Sequence, residues 1–175
     1  MLLLASGAAG REPVSPGTRA WAELCDAMSE VGESLLAQLA HDADGVTHVL
    51  LIDVQGAATV QDARIVAKAI AESPLVKAAA FGGDPNPGRV LQAVGSSGAS
   101  FEHGEVDGWI GGVKVIDGGH VARSYFNGGH DDAKAEMAGP EIRIRISLGS
   151  GPGASRAVGC DLSYDYVRIN GEYTT

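Results

Sequence analysis

Glu141-Ile142-Arg143-Ile144-Arg145-Ile146-Ser147-Leu148 alternates apolar and polar side chains without a break. Successive side chains of a strand point to opposite faces, so this stretch puts Ile142, Ile144, Ile146 and Leu148 on a covered face and leaves its arginines wet. After it, Gly149-Ser150-Gly151-Pro152-Gly153 turns the chain into Ala154 to Leu162, expected as its antiparallel partner, and Tyr166-Val167-Arg168-Ile169 reads as a last strand. Before it, Asp131 to Met137 reads as a short helix. Trp109 to Ile116 and His120 to Tyr125 flank Asp117-Gly118-Gly119, a turn of hairpin type.

Further upstream the period changes. Leu24, Met28, Val31, Leu35 and Leu39 recur at helical spacing after Thr18, and His41-Asp42-Ala43-Asp44-Gly45 supplies the stop. Val49-Leu50-Leu51-Ile52-Asp53-Val54 is a short β-branched run typical of a strand buried on both faces, closed by Gly56. Thr59 with Asp62 resembles a capping box, which opens a helix from Val60 to Glu72 that Pro74 ends. Leu75 to Phe81, between Pro74 and Gly82-Gly83, is expected as a short strand, and Val90, Leu91 and Val94 as a third helix ended at Gly95 or Gly98. Met1-Leu2-Leu3-Leu4-Ala5 reads as a strand. It has neither the basic n-region nor the length of a signal peptide. Helices apart from largely antiparallel strands give an α+β fold over the 175 residues.

A composition that is 45% hydrophobic with 20% charged residues supports a folded core. The formal net charge of -9 lacks the electrostatic footprint of a nucleic-acid or anionic-membrane binder. No run is long enough to span a bilayer. Cys25 and Cys160 form no Cys-x-x-Cys pair or disulfide framework, so a reducing cytoplasm is expected.

Most chemical motifs fail on spacing. Gly149-Ser150-Gly151-Pro152-Gly153 lacks the Gly-Lys-Ser/Thr of a phosphate loop, and Gly95-Ser96-Ser97-Gly98 misses the spacing of a nucleophile elbow. Asp42-Ala43-Asp44-Gly45, read as a calcium loop, puts Ala40 at the first ligand position and Leu51 where the closing Glu belongs. His41, His48, His103, His120 and His130 share no helix face at metal-ligand spacing. Cys160 beside Asp161 gains no depression of its thiol pKa from that anion and reads as core filler. No metal or cofactor is expected.

Three tracts carry a family resemblance. They are Val66 to Lys77, then Phe81-Gly82-Gly83-Asp84-Pro85-Asn86-Pro87-Gly88-Arg89-Val90, then Gly159 to Thr175. Their order and separation resemble the ornithine acetyltransferases, the bifunctional glutamate N-acetyltransferases of arginine biosynthesis. The resemblance implies that residues 1–175 are the carboxyl-terminal part of the β chain, with the upstream catalytic part absent and the fold incomplete at its N-terminus. It implies a layered α-β-β-α sandwich that cleaves itself before a threonine. That threonine would then carry an acetyl group from N-acetylornithine to glutamate.

The nucleophile and the oxyanion hole would lie upstream, so no catalytic residue is expected in this chain. The implied partners are the α chain with the nucleophile-bearing segment, in a heterotetramer. Three substrate contacts fall inside: Asn170 and Thr175 in the closing tail, and Asp44, which matches the family's glutamate in a Glu-Gly-Ala-Thr-Lys-like segment, here Asp44-Gly45-Val46-Thr47-His48. Asp44 for Glu, His48 for Lys and Pro87 for the Trp of Asp-Pro-Asn-Trp-Gly-Arg depart from the pattern. Asp84 and Arg89 could pair catalytically, but a turn held by Asp, Pro and Gly explains them without chemistry. The rival functions are a non-catalytic fragment or binding module, and a related self-cleaving aminopeptidase.

Overall fold

A computed structural model describes Leu4 and residues 6–173. Most of the expected Met1–Ala5 strand and all of Thr175 lie outside the described residues. The chain divides into two compact units, one ending at Leu39 and one running from Ala40.

The first unit is dominated by helix α1, Arg19–His41, whose last two residues belong to the second. Thr18 caps it, its hydroxyl accepting from the Trp21 amide at 3.2 Å, and Arg19 pairs with Glu23 one turn on. Of the apolar stripe expected from the sequence, Leu24, Val31, Leu35 and Leu39 are exposed, 40% to 69% accessible, and Met28 is half-buried; Leu36 is exposed beside them.

The second unit is built on one six-stranded mixed sheet in the order β4 (His120–Val121), β3 (Val113–Asp117), β2 (Asp107–Ile110), β5 (Glu141–Ser147), β1 (Val49–Ala57), β6 (Gly153–Cys160). Its central strands are β1, Val49–Ala57, and β5, Glu141–Ser147, which run parallel with Ile52 beside Ile144. In β5 the alternation holds as expected, with Ile142, Ile144 and Ile146 buried and Glu141, Arg143 and Arg145 exposed. Leu50, Ile52 and Val54 of β1 join that covered face and meet Ala63, Val66, Ala67 and Ile70 of α2, Val60–Glu72. Each of the valine, leucine and isoleucine side chains among them contributes about 1.5–3 kcal/mol by leaving water. The outer face is closed with polar pairs: the Arg145 guanidinium lies 4.3 Å from the Trp109 ring centre, and Arg156 pairs with Asp53 at 2.9 Å.

The structure corrects several expectations. Leu75 to Phe81 is not a strand but part of helix α3, Pro74–Phe81. Pro74 does stop α2, yet it also sits in the first turn of α3, where its missing N–H costs nothing, and Ser73 accepts from the Val76 amide at 3.4 Å. Tyr166 to Ile169 is likewise helical, within α6, Tyr164–Glu172, which Ser163 caps. Strand β6, Gly153–Cys160, is antiparallel as expected, but its partner is β1, which sits between it and β5. Gly56 does not end β1. The strand bulges there at a φ of +74°, and a Cβ would lie 2.1 Å from the Gly149 carbonyl oxygen.

The expected long strand from Trp109 to Ile116 is broken at Gly111-Gly112 into β2, Asp107–Ile110, and β3, Val113–Asp117. The turn at Asp117-Gly118-Gly119 does join antiparallel strands, although β4 is only His120–Val121 and Arg123–Phe126 forms a 3₁₀ turn. Helix α4, Pro87–Gly95, and helix α5, Gly129–Glu136, fall where helices were expected. Among the described residues no helix is long and apolar enough to cross a membrane.

Candidate functional site

The turn before β1 and the segment after β6 come together. Asp44 is exposed on that turn, and Gly45 behind it has a φ of +67°, a backbone region that side chains rarely adopt. Gly45 sits so close to the start of α6 that a Cβ would lie 2.4 Å from the Tyr166 nitrogen and 2.8 Å from the Asp165 carbonyl carbon. Ser163, almost fully buried, ties the two segments together. Its hydroxyl donates to the Gly45 carbonyl and accepts from the Tyr166 amide at 2.9 Å, capping α6 in the same act.

One turn along that helix stands Asn170, exposed, its side-chain N–H donating to the Tyr166 carbonyl at 2.9 Å. Asp44 and Asn170 therefore project from two segments that meet at Tyr166. Thr175, the third expected contact, lies outside the described residues. Lys77 of α3 places its ammonium 5.8 Å from the Tyr166 ring centre, and Phe81 meets Tyr164 edge to face at 5.3 Å.

Beneath the turn lies Asp161, 1% exposed. Its carboxylate accepts from the Thr47 amide at 3.0 Å and from the Thr47 hydroxyl, with His48 Nδ1 at 3.4 Å, while its own N–H donates to the His48 carbonyl at 3.0 Å. Burial alone pushes the Asp161 carboxyl up, but the Thr47 hydroxyl and amide and the His48 contacts together outweigh it and hold the group below the ordinary carboxylate range.

Thr47, His48 and Asp161 are residue types of a nucleophilic triad, and their geometry excludes one. Thr47 and Asp161 both face the same imidazole nitrogen, Nδ1, and the Thr47 hydroxyl donates to Asp161. A triad histidine turns one ring nitrogen to the nucleophile and the other to the orienting carboxylate; here Nδ1 faces both, so His48 cannot take a proton from the threonine in that way. These residues build structure.

The other sequence candidates resolve similarly. Asp84 and Arg89 do not pair: Asn86 donates to Asp84 at 3.1 Å and caps α4 by accepting from the Arg89 amide, while Arg89 donates to the Leu75 carbonyl at 3.0 Å. Cys160 is half-buried, and burial pushes its thiol up, against a smaller downward pull from Lys77. It therefore lacks the thiolate character of a nucleophile. His103 and His120 meet edge to face with centres 5.8 Å apart, and His41 contacts Glu141 at 3.2 Å. Asp161 and Ser163 were missed by sequence reasoning, although a serine two residues before Asp165 at a helix start is a capping signal.

The mixed sheet, with its carboxylate-anchored turn held against a serine-capped helix, defines an α+β protein that exposes Asp44 and Asn170 on adjoining segments. A model described as the ArgJ family matches residues 1–175, and the chain belongs to that family. An "Arginine biosynthesis bifunctional protein ArgJ" from Symbiobacterium thermophilum is 41% identical over 177 residues, covering 100% of this chain and 42% of that protein. A "Glutamate N-acetyltransferase" from Methanothermobacter thermautotrophicus is 43% identical over 156 residues, covering 86% of this chain and 38% of that protein. The crystal structure of the arginine biosynthesis bifunctional protein from Bacillus halodurans superposes with a TM-score of 0.85 at 36% identity, covering 97% of this chain and 78% of that one. The chain thus spans well under half the length of the curated relatives it matches.

Proposed function

We propose that this chain is one part of an acetyltransferase that moves an acetyl group from N-acetylornithine to glutamate, and that it supplies a wall of the substrate pocket. The carrying observation is the contact of the Asp44 turn with α6, which places the two described substrate candidates on adjoining segments. The Asp44 carboxylate suits the ammonium of an ornithine side chain, and the Asn170 carbonyl oxygen can accept from an amino-acid head group. Thr175 would add a hydroxyl from the tail.

The chemistry belongs to a threonine outside this chain. Its hydroxyl attacks the acetyl carbonyl of N-acetylornithine, the amide C–N bond breaks, and ornithine leaves protonated. The glutamate amine then attacks the resulting ester, the C–O bond breaks, and the threonine hydroxyl is restored. The threonine's own amino group, freed by self-cleavage, would move the protons. No metal is needed in this scheme. In this reading, which the likeness of the tail supports, the chain would form the carboxyl-terminal side of a layered α-β-β-α fold and would work in the cytoplasm as part of a heterotetramer with its α chain.

The test is acetyl transfer by the complete protein. Asp44→Ala is expected to raise the KM for N-acetylornithine roughly ten- to a hundredfold, since a hydrogen bond to a charged group contributes about 1.5–3 kcal/mol. An unchanged KM removes Asp44 from the pocket. Turnover by residues 1–175 alone would overturn the placement of the nucleophile, and peptide hydrolysis without acetyl transfer would favour the aminopeptidase.

A further inference from the structure

Asp44 and Asn170 can act on one substrate only if the two segments keep a fixed relation. The turn that bears Asp44 has no regular secondary structure of its own, and its backbone follows a left-handed glycine directly into β1. What holds it is a small set of side-chain bonds from Asp161 and Ser163, residues separated from it by more than a hundred positions in sequence. On the turn, Ser163 reaches the Gly45 carbonyl. Asp161 takes both donors of Thr47, two residues nearer the strand, and its own amide is tied to His48.

Buried as it is, this carboxylate meets no substrate. Nor is it needed to satisfy a lysine or arginine, because the groups around it are a hydroxyl, an amide and an imidazole of the turn itself. We propose that Asp161 is a positioning residue, whose buried carboxylate grips Thr47 and so fixes the Asp44 turn in register with the helix that carries Asn170. This rests on the substrate-wall reading for its functional consequence, but the mechanical part stands on the chain alone.

Removing the negative second oxygen should loosen the turn without loosening the sheet, and Thr47 should lose its influence once Asp161 is changed. Asp161→Asn keeps the shape and one acceptor, and Thr47→Val removes a hydroxyl at an exposed position while keeping the amide that donates to Asp161, so both variants are expected to fold.

Amide hydrogen exchange on residues 1–175 reads the first claim. In Asp161→Asn the Thr47 and Asp161 amides are expected to exchange at least about tenfold faster, with Leu50 and Ile52 in β1 unchanged. A double-mutant cycle with Thr47→Val reads the second: the two changes together should speed exchange no more than Asp161→Asn alone. Uniformly faster exchange across β1, or strictly additive effects, would overturn the proposal.

In the complete enzyme, Asp161→Asn is expected to raise the KM for N-acetylornithine about tenfold, with kcat within about twofold, as loss of ground-state binding geometry does. A fall in kcat at constant KM would overturn the positioning role. If the complete protein transfers no acetyl group at all, the substrate reading fails, and the exchange experiment still decides the grip of Asp161 on the turn.

Discussion

A carboxylate as buried as Asp161 stays ionised only if donors replace the water it has lost, and here the Thr47 hydroxyl and amide do so with His48 at the edge. Its folded pKa lies below the ordinary value of 3.8, so its stabilising contribution is complete above that value and disappears as the pH falls through the lower, folded value. Urea midpoints followed from about pH 5 to pH 2 should therefore fall more steeply for the parent than for Asp161→Asn. Parallel curves would show that the carboxyl is not held below its ordinary range. Gly45 poses a different constraint at the same scale. A methyl there meets the Tyr166 nitrogen at 2.4 Å in a left-handed backbone, so Gly45→Ala should destabilise by about 1–3 kcal/mol, seen as a lower thermal midpoint. A midpoint unchanged from the parent would mean that the turn and helix can separate freely.

At the scale of elements, the two serine caps should differ in weight. Ser73 accepts one amide at 3.4 Å at the head of α3, so Ser73→Ala should cost about 0.5–1 kcal/mol. Ser163 is buried and serves both the Tyr166 amide and the Gly45 carbonyl, and Ser163→Ala strands that carbonyl, for about 1–3 kcal/mol. Chemical denaturation of the two variants checks the order, and equal costs would count against Ser163 as a link between segments. The same elements mark what the sequence could tell. Helix α2 was legible to the residue, because Thr59 and Asp62 flag its start and Pro74 its end. The strand β5 was legible because a period of two cannot be read as a helix. Helices α3 and α6 were not, since eight or nine residues rich in Val, Ile, Tyr or alanine carry little periodicity, and their helicity is settled by Ser73 and Ser163 together with tertiary contacts. The pairing of β6 with β1 was hidden for another reason: nothing local says which of two apolar strands a third will join. Asp44 and Asn170 were candidates only through resemblance, and the carboxylate beneath the Asp44 turn left no motif.

At the scale of the molecule, the balance of charge and apolar surface decides how the chain behaves in isolation. Helix α1 exposes Leu24, Val31, Leu35, Leu36 and Leu39, a stripe of large side chains that water covers poorly. Against this, a net charge of -9 makes copies repel one another at low ionic strength. Salt shortens the reach of that repulsion to about 10 Å at 0.1 M and about 3 Å at 1 M, while apolar association survives. The isolated chain should therefore be largely monomeric in dilute buffer and associate as salt and concentration rise, as measured by sedimentation velocity. Replacing Leu24 and Leu35 by glutamate should return the chain to monomer at the same salt and concentration. The unfolding of the sheet, whose core contains neither residue, should be unaltered. If the parent stays monomeric at 1 M salt, or the double variant associates equally, the stripe is not the adhesive surface and the exposed aromatic side chains of α6, Tyr164 and Tyr166, become the next to be changed.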